Sequence, residues 1–456
     1  MKMRSVFCFL LLVLLSGWSQ PPPKSAFISL NEAQSSVSAY KDALPAKLQS
    51  AASLDEAEWA KWIRQSDDEV RLRLERGQED TLSNLLRFGV TYTHEYRIDD
   101  SYLPRYGRSS LVDSFANNRA NDLVRALASP KSAEGFREMR TFLEKKGYSF
   151  QTPADRARVK KYLLGNLARL RDDFIQAHSE EAKKNRWQAF KERGLSLDTN
   201  LWPDYDLDVH LRAMMEKGLL KPGSVRRVAV VGPGLDFVNK MEGYDFYPPQ
   251  TIQPFAVLDS LFRLKLADPT TVEMVTLDIS TDVNTHIERA LKTAAAGKPY
   301  VLQLPWNSGG GWTEEFLAQF VPYWKNLGST IGEPMQPVTG PERAEGIEIR
   351  AVKVLPAIVG LIKPFDLNIV YQRLQLAPEE RFDLIIGTNI FIYYGAFEQS
   401  LARANVASML KSGGFLLSSD QLADRIENGL ELTLTTRTPM TGPPVMTGYI
   451  FSYRRK

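Results

Sequence analysis

Val228-Ala229-Val230-Val231-Gly232-Pro233-Gly234-Leu235-Asp236 is the stretch that decides the fold. Four consecutive apolar residues predict a strand buried on both faces, as in a parallel sheet covered by helices. Two closely spaced glycines follow at once. They let the backbone turn sharply at the strand's carboxyl end and keep side chains out of the space above it, so that a ligand can lie against the main chain. Outward from this point, β-branched runs alternate with helical patterns to the C-terminus. Glu273–Leu277 leads into Asp278-Ile279-Ser280, and Asp366–Tyr371 and Phe382–Gly387 read as further strands. A helix follows from about 396 to 410, then the strands Phe415–Ser418, Leu430–Thr435 and Gly448–Tyr453. Such alternation predicts an α/β, doubly wound, mostly parallel sheet.

At the tip of the second strand, Asp278 is placed to accept both hydroxyls of a ribose. Its competing reading is a helix N-cap, since a helix is expected from about Val283 to Ala295. The glycine loop lacks the third glycine of a dinucleotide fingerprint, because Phe237 stands in its place. This departure speaks against a nucleotide-dependent oxidoreductase and for S-adenosylmethionine (SAM).

Several blocks occur in the order found in one known family. Phe382-Asp383-Leu384-Ile385 is followed by Asn389-Ile390-Phe391-Ile392-Tyr393-Tyr394, a helix, and Ser412-Gly413-Gly414-Phe415. Asp278-Ile279-Ser280-Thr281, Gly297-Lys298-Pro299-Tyr300 and Tyr371-Gln372-Arg373-Leu374-Gln375-Leu376 precede them. Over about residues 225–456 the chain resembles the class I SAM-dependent methyltransferases, and within them the CheR-type, chemotaxis-receptor protein-glutamate methyltransferases. The resemblance implies a seven-stranded sheet with an antiparallel final strand. It also implies that Gly232 and Gly234 cradle the methionine end of SAM, with Asp236 standing in for a loop carboxylate. Asp278 and Ile279 would then hold the ribose, Gln375 and Leu376 the adenine edge, and Asn389 the region beside the sulfonium. Tyr393 would face the transferred methyl. The first loop is shorter than that branch's, Gln375 replaces an asparagine, and Pro378 falls where an acid is usual.

Two stretches have no counterpart in that pattern, Asn239–Pro254 and Pro305–Arg350. The first, with Tyr244, Phe246 and Tyr247, reads equally as an acceptor pocket or a packed loop. The second contains Trp306-Asn307-Ser308-Gly309-Gly310-Gly311-Trp312, which reads as a hinged lid or as an ordinary loop.

The amino-terminal part differs in kind. Residues 1–19 combine the basic Met1-Lys2-Met3-Arg4, an apolar run from Val6 to Leu15, and small residues in Gly17-Trp18-Ser19. That is the pattern of a secretory signal peptide, too short for a bilayer span, so export is expected, with no membrane span after cleavage. Cys8 is the only cysteine and would leave with that segment, which excludes disulfides and thiolate chemistry from the mature chain. The four histidines are scattered and suggest no metal site. From 20 to about 200 the pattern is mainly helical, with capping signals at Ser53–Glu56, Ser66–Glu69 and Thr152-Pro153. This defines an amino-terminal helical domain of unknown role, followed from 201 to 456 by the methyltransferase-like domain.

Apolar residues make up 43% and charged residues 24% of the chain, and the net charge of +3 calls for no nucleic-acid partner. The sequence therefore points to SAM-dependent methyl transfer to an acceptor it does not name, a carboxylate or another nucleophile. The second reading, prompted by the signal peptide, is an exported and catalytically degenerate binding or scaffolding module.

Overall fold

The computed structural model describes residues 23–49, 54–131, 133–179, 194–195, 197, 201–236, 245–340, 346–442 and 446–456. The expected signal segment 1–19, Phe237 and residues 239–244 of the 239–254 stretch lie outside them.

Among the described residues the strands are β1 Ser25–Phe27, β2 Arg227–Val231, β3 Glu273–Asp278, β4 Tyr300–Asn307, β5 Gly332–Met335 and β6 Ile347–Val354. They continue as β7 Ile362–Asp366, β8 Gln372–Leu374, β9 Phe382–Gly387, β10 Leu410–Ser418, β11 Leu430–Pro439 and β12 Thr447–Arg455. Seven of them form one sheet in the order β11-β12-β10-β9-β2-β3-β7. β7, β3, β2, β9 and β10 run parallel to their neighbours, and β12 runs antiparallel to both β10 and β11. This is the class I methyltransferase fold: a mostly parallel, doubly wound sheet with one antiparallel strand. The order reverses at β2, which lies between β3 and β9, so the ends of β2, β3 and β9 flank the switch point where open α/β sheets bind ligands.

Period-two alternation explains why β2 is apolar throughout. Val228 and Val230 enter one core with the helices Trp202–Glu216, Gln253–Arg263 and Thr281–Ala295. Ala229 and Val231 face the other core, with the helix Ala396–Met409 and the first half of the long helix Glu56–Phe88. That long helix bridges what the sequence divides near residue 200. Trp59, Trp62, Ile63 and Val70 pack under the sheet, whereas Leu82, Leu85 and Leu86 join a separate core with the helices Ser110–Ala128, Glu134–Lys145 and Pro153–Ala177. β1 also pairs antiparallel with β8, so residues from the first described segment form a separate two-stranded sheet with the carboxyl-terminal half.

Several local expectations change. No new helix begins at Ser66, because the Glu56–Phe88 helix runs through it from an N-cap at Asp55, whose carboxylate accepts the Ala57 and Glu58 N–H groups. Thr152 does cap its helix, reciprocally with Asp155. The expected strand Asp366–Tyr371 ends where it was to begin: the strand is Ile362–Asp366, and the next residues turn, with the Asn368 carbonyl accepting the Tyr371 and Gln372 N–H groups. The 305–350 insertion belongs to a three-stranded antiparallel sheet, β4-β6-β5, carrying the helix Glu314–Asn326. Within it Trp312 packs on Trp202 and Phe316 and donates its indole N–H to the Asn307 carbonyl, so the glycine-rich turn is a packed corner.

Candidate functional site

The β2 chain end forms the floor of the site. Gly232 and Gly234 adopt φ of 60° and 69°, left-handed values that cost a residue with a Cβ about 1–2 kcal/mol. A Cβ on Gly232 would stand 2.2 Å from Ile390 Cδ1, so this glycine also keeps the loop clear of the β9 side of the site. The Gly232 N–H donates to the Leu277 carbonyl at 2.9 Å, which locks the loop to β3.

At the β3 tip the two readings of Asp278 separate. Ser280 is the N-cap of the Thr281–Ala295 helix and accepts the Val283 N–H through its hydroxyl. The Asp278 carboxylate is left to accept the N–H groups of Ser280, at 2.7 Å, and of Gly234. Burial pushes its carboxyl up to about 7, against those two hydrogen bonds.

Around these residues lies a cleft of about 570 Å³, its open mouth included. Leu277, Ile279, Leu367, Ile369 and Ile390 give it apolar walls, and Asp278, Asn368, Asn389 and Tyr393 supply its polar groups. Asn389 holds a φ of 57°, and its N–H donates to Ser419 Oγ at 2.7 Å. The turn that presents Tyr393 is anchored by Asp420, whose carboxylate accepts the Phe391 and Ile392 N–H groups at 3.1 and 3.2 Å. Arg73 reaches Tyr393 from the long helix, donating to its carbonyl at 3.4 Å.

The structure thus brings Gly232, Gly234, Asp278, Ile279, Asn389 and Tyr393 into one cleft. It does not bring Asp236, Gln375 or Leu376 there. Asp236 is buried and accepts from Tyr247 Oη at 3.1 Å and Gln250 Nε2 at 3.0 Å, which ties it to the insertion. Gln375 follows β8 and donates its N–H to the Lys24 carbonyl, and Leu376 packs on the core beneath the sheet. β7 ends at Asp366, and the residues after it that line the cleft are Leu367, Asn368 and Ile369.

Residues from the long helix complete the site and escaped the sequence reading. Leu74 lines the cleft, as do Leu195 and Leu197. Arg71 donates to Asp366 Oδ1 at 2.7 Å, to Asp67 Oδ2 at 3.0 Å and to the Ile279 carbonyl at 3.3 Å, and Asp67 in turn accepts from Asn368 Nδ2 at 2.8 Å. No local signal marks these residues, since a helical arginine reads as a solvated face. Asp366-Leu367-Asn368 and Asp420 carried a readable one, a polar residue at a strand's carboxyl end.

Among the described residues no group of three or more His, Cys, Asp or Glu could hold a metal, and no helix is long and apolar enough to cross a membrane.

No family model and no curated protein matches the chain. Solved structures similar to it include the N-methyltransferase NodS of Bradyrhizobium japonicum with S-adenosyl-L-homocysteine (SAH), at 12% identity over 59% of this chain and 98% of that one, TM-score 0.28. Magnesium protoporphyrin IX methyltransferase of Synechocystis with bound SAM matches at 13% identity over 62% and 97%, TM-score 0.25. The CurJ carbon methyltransferase matches at 12% identity over 92% and 99%, TM-score 0.26. The strand order and the cleft, not these distant likenesses, carry the functional reading.

Proposed function

We propose that the protein is a SAM-dependent methyltransferase whose cofactor lies in the cleft between Gly232, Asp278 and Tyr393. The observation that carries this reading is the buried Asp278 carboxylate. It is relieved of capping duty by Ser280, supported by two backbone N–H groups, and set beside the Gly232-Pro233-Gly234 loop at the switch point of the class I methyltransferase sheet. A ribose diol fits it chemically, because a carboxylate has lone pairs left for two hydroxyl donors after accepting those bonds.

When bound, SAM supplies a methyl on a sulfonium, ready for in-line displacement by a nucleophile. The chain's own task is alignment. Gly232 and Gly234 would offer bare main chain to the methionine end, and Leu367 and Ile369 would give the adenine apolar contact, with Asn368 supplying a polar group beside it. Asn389 and Tyr393 flank the sulfonium, and Asp420 fixes the turn on which Tyr393 sits. Within the class, the order of blocks resembles the CheR-type branch, whose carboxylate acceptor arrives already ionised. The Met1–Ser19 pattern supports export of the chain, which an amino-terminal reporter fusion tests.

Calorimetric titration with SAM and SAH tests the cofactor reading. Saturable binding at a single site, weakened about 100-fold in Asp278→Ala through loss of two charge-assisted hydrogen bonds worth about 1.5 kcal/mol each, is expected. Absence of binding at about 1 mM ligand, far above usual cofactor affinities, would remove it.

A further inference from the structure

A second, larger cavity of about 1160 Å³, open mouth included, adjoins the cleft. The two meet at four places. Leu197 lines both; Gly234 lines the cleft and Leu235 the cavity; Leu74 lines the cleft and Gln78, one helical turn on, the cavity. Likewise Asp278 belongs to the cleft and Asp282, one turn into the next helix, to the cavity. The cavity therefore opens beside the glycine loop, on the side where the methionine end of the cofactor is proposed to lie.

Its floor is apolar, with Met139 and Phe142 buried. Its walls carry charges of both signs, Glu134, Glu138 and Asp282 against Arg137, Lys145 and Arg289. Glu138, Lys145 and Arg289 make no ion pair with another described residue. Glu138 and Arg289 act on each other without closing into an ion pair, and charges of both signs held in one concave site are complementary to a small molecule that carries both.

We propose that this cavity is the methyl-acceptor site and that it takes a small primary amine bearing a carboxylate, with Glu138 receiving the proton the amine gives up. The inference rests on the methyltransferase reading and deepens it. The carboxylate of the acceptor pairs with the Arg289 and Lys145 cations, and its ammonium enters among Glu134, Glu138 and Asp282. The ammonium passes one proton to Glu138, which frees the nitrogen lone pair. The nitrogen then bonds to the methyl carbon as the carbon–sulfur bond breaks, and that electron pair stays on sulfur as a neutral thioether. The product is a secondary ammonium, and Glu138 returns its proton to solvent. Glu138 suits this task. Burial, then Glu134 and Asp282, push its carboxyl up to about 7, while Arg289 and Arg137 act in the opposite direction. A general base is most effective with a pKa near the working pH.

The test uses an equimolar mixture of the twenty protein amino acids as the probe, first by saturation-transfer NMR on SAH-loaded protein and then with methyl-labelled SAM. Saturable contact with amino acids is expected, weakened about tenfold in Arg289→Ala by loss of a charge-assisted pair. Label should appear on amine nitrogen. Glu138→Gln should lose about 100-fold in transfer at neutral pH and lose the rise of the rate with pH near 7, with SAM affinity unchanged. A wild type that binds SAM but neither contacts nor methylates any amine overturns the inference, as does a Glu138→Gln variant that transfers at the wild-type rate. A wild type that fails to bind SAM overturns the methyltransferase reading beneath it, so the two failures are distinguishable.

Discussion

The tips of β3 and β7 are neighbours in the sheet and both carry a carboxylate, yet they are held by opposite means. Asp278 is buried, and backbone N–H groups from its own loop and the glycine loop support it. The Asp366 side chain is 55% exposed and is gripped by Arg71, which lies 295 residues away in the chain. A strand tip whose surroundings come from its own turn is preorganised by the fold itself. One whose partner comes from a distant helix depends on that helix staying in place.

Replacing each carboxylate by its amide breaks the comparison most sharply. Asp278→Asn should weaken SAH binding about 100-fold, because a buried amide keeps one acceptor oxygen and places an NH2 against the donors. Asp366→Asn should cost about tenfold or less in the same titration, since its site is open to water. Equal losses would mean that the two tips serve the ligand alike.

Gly232→Ala comes next. It should lower stability by about 1–2 kcal/mol in denaturant unfolding, from the left-handed φ and the crowding of Ile390, and weaken SAH binding in proportion to the shift of Ile390 into the cleft.

The pH dependence has a defined sign. The Asp278 carboxyl sits at about 7 in the folded chain, and only its ionised form accepts both hydroxyl donors, so SAH affinity should rise from about pH 6 to pH 8 and level off above. Asp278→Asn should remove that slope. Folding responds in the opposite sense. Burial also pushes the Asp204 and Asp206 carboxyls up to about 8 and about 7, so the folded chain holds protons that the unfolded chain releases near pH 4. Stability should therefore fall as the pH climbs from about 4 through 8, and Asp204→Asn should flatten the fall in a Tm series. A Tm that rises over this range would contradict the burial of these groups.

The smallest effect is expected at Arg71. Its pairs with Asp67 and Asp366 are partly exposed, so Arg71→Ala should cost about 0.5–1 kcal/mol of stability.

The same contrast explains how much of the molecule was legible in its sequence. β2, its glycines, Asp278, the β9 block and the paired β11 and β12 could be read because period-two burial and turn chemistry are local. Ser280 as the cap, rather than Asp278, follows the same local rule, although both residues are good caps. The β7 boundary is displaced because Leu367-Asn368-Ile369-Val370 continues an apolar pattern past the strand's end at Asp366. Arg71, Leu74 and Glu138 were invisible for a different reason. They sit on helices whose placement beside the cleft and the cavity is a tertiary fact, and nothing in their own neighbourhoods announces it.

A crystal structure of the protein grown with SAH tests the central claim most directly. The ribose hydroxyls are expected within hydrogen-bonding distance of the Asp278 carboxylate, the methionine end over Gly232 and Gly234, and the sulfur beside Asn389 and Tyr393. Ligand density elsewhere, or a ribose that leaves Asp278 untouched, would contradict it.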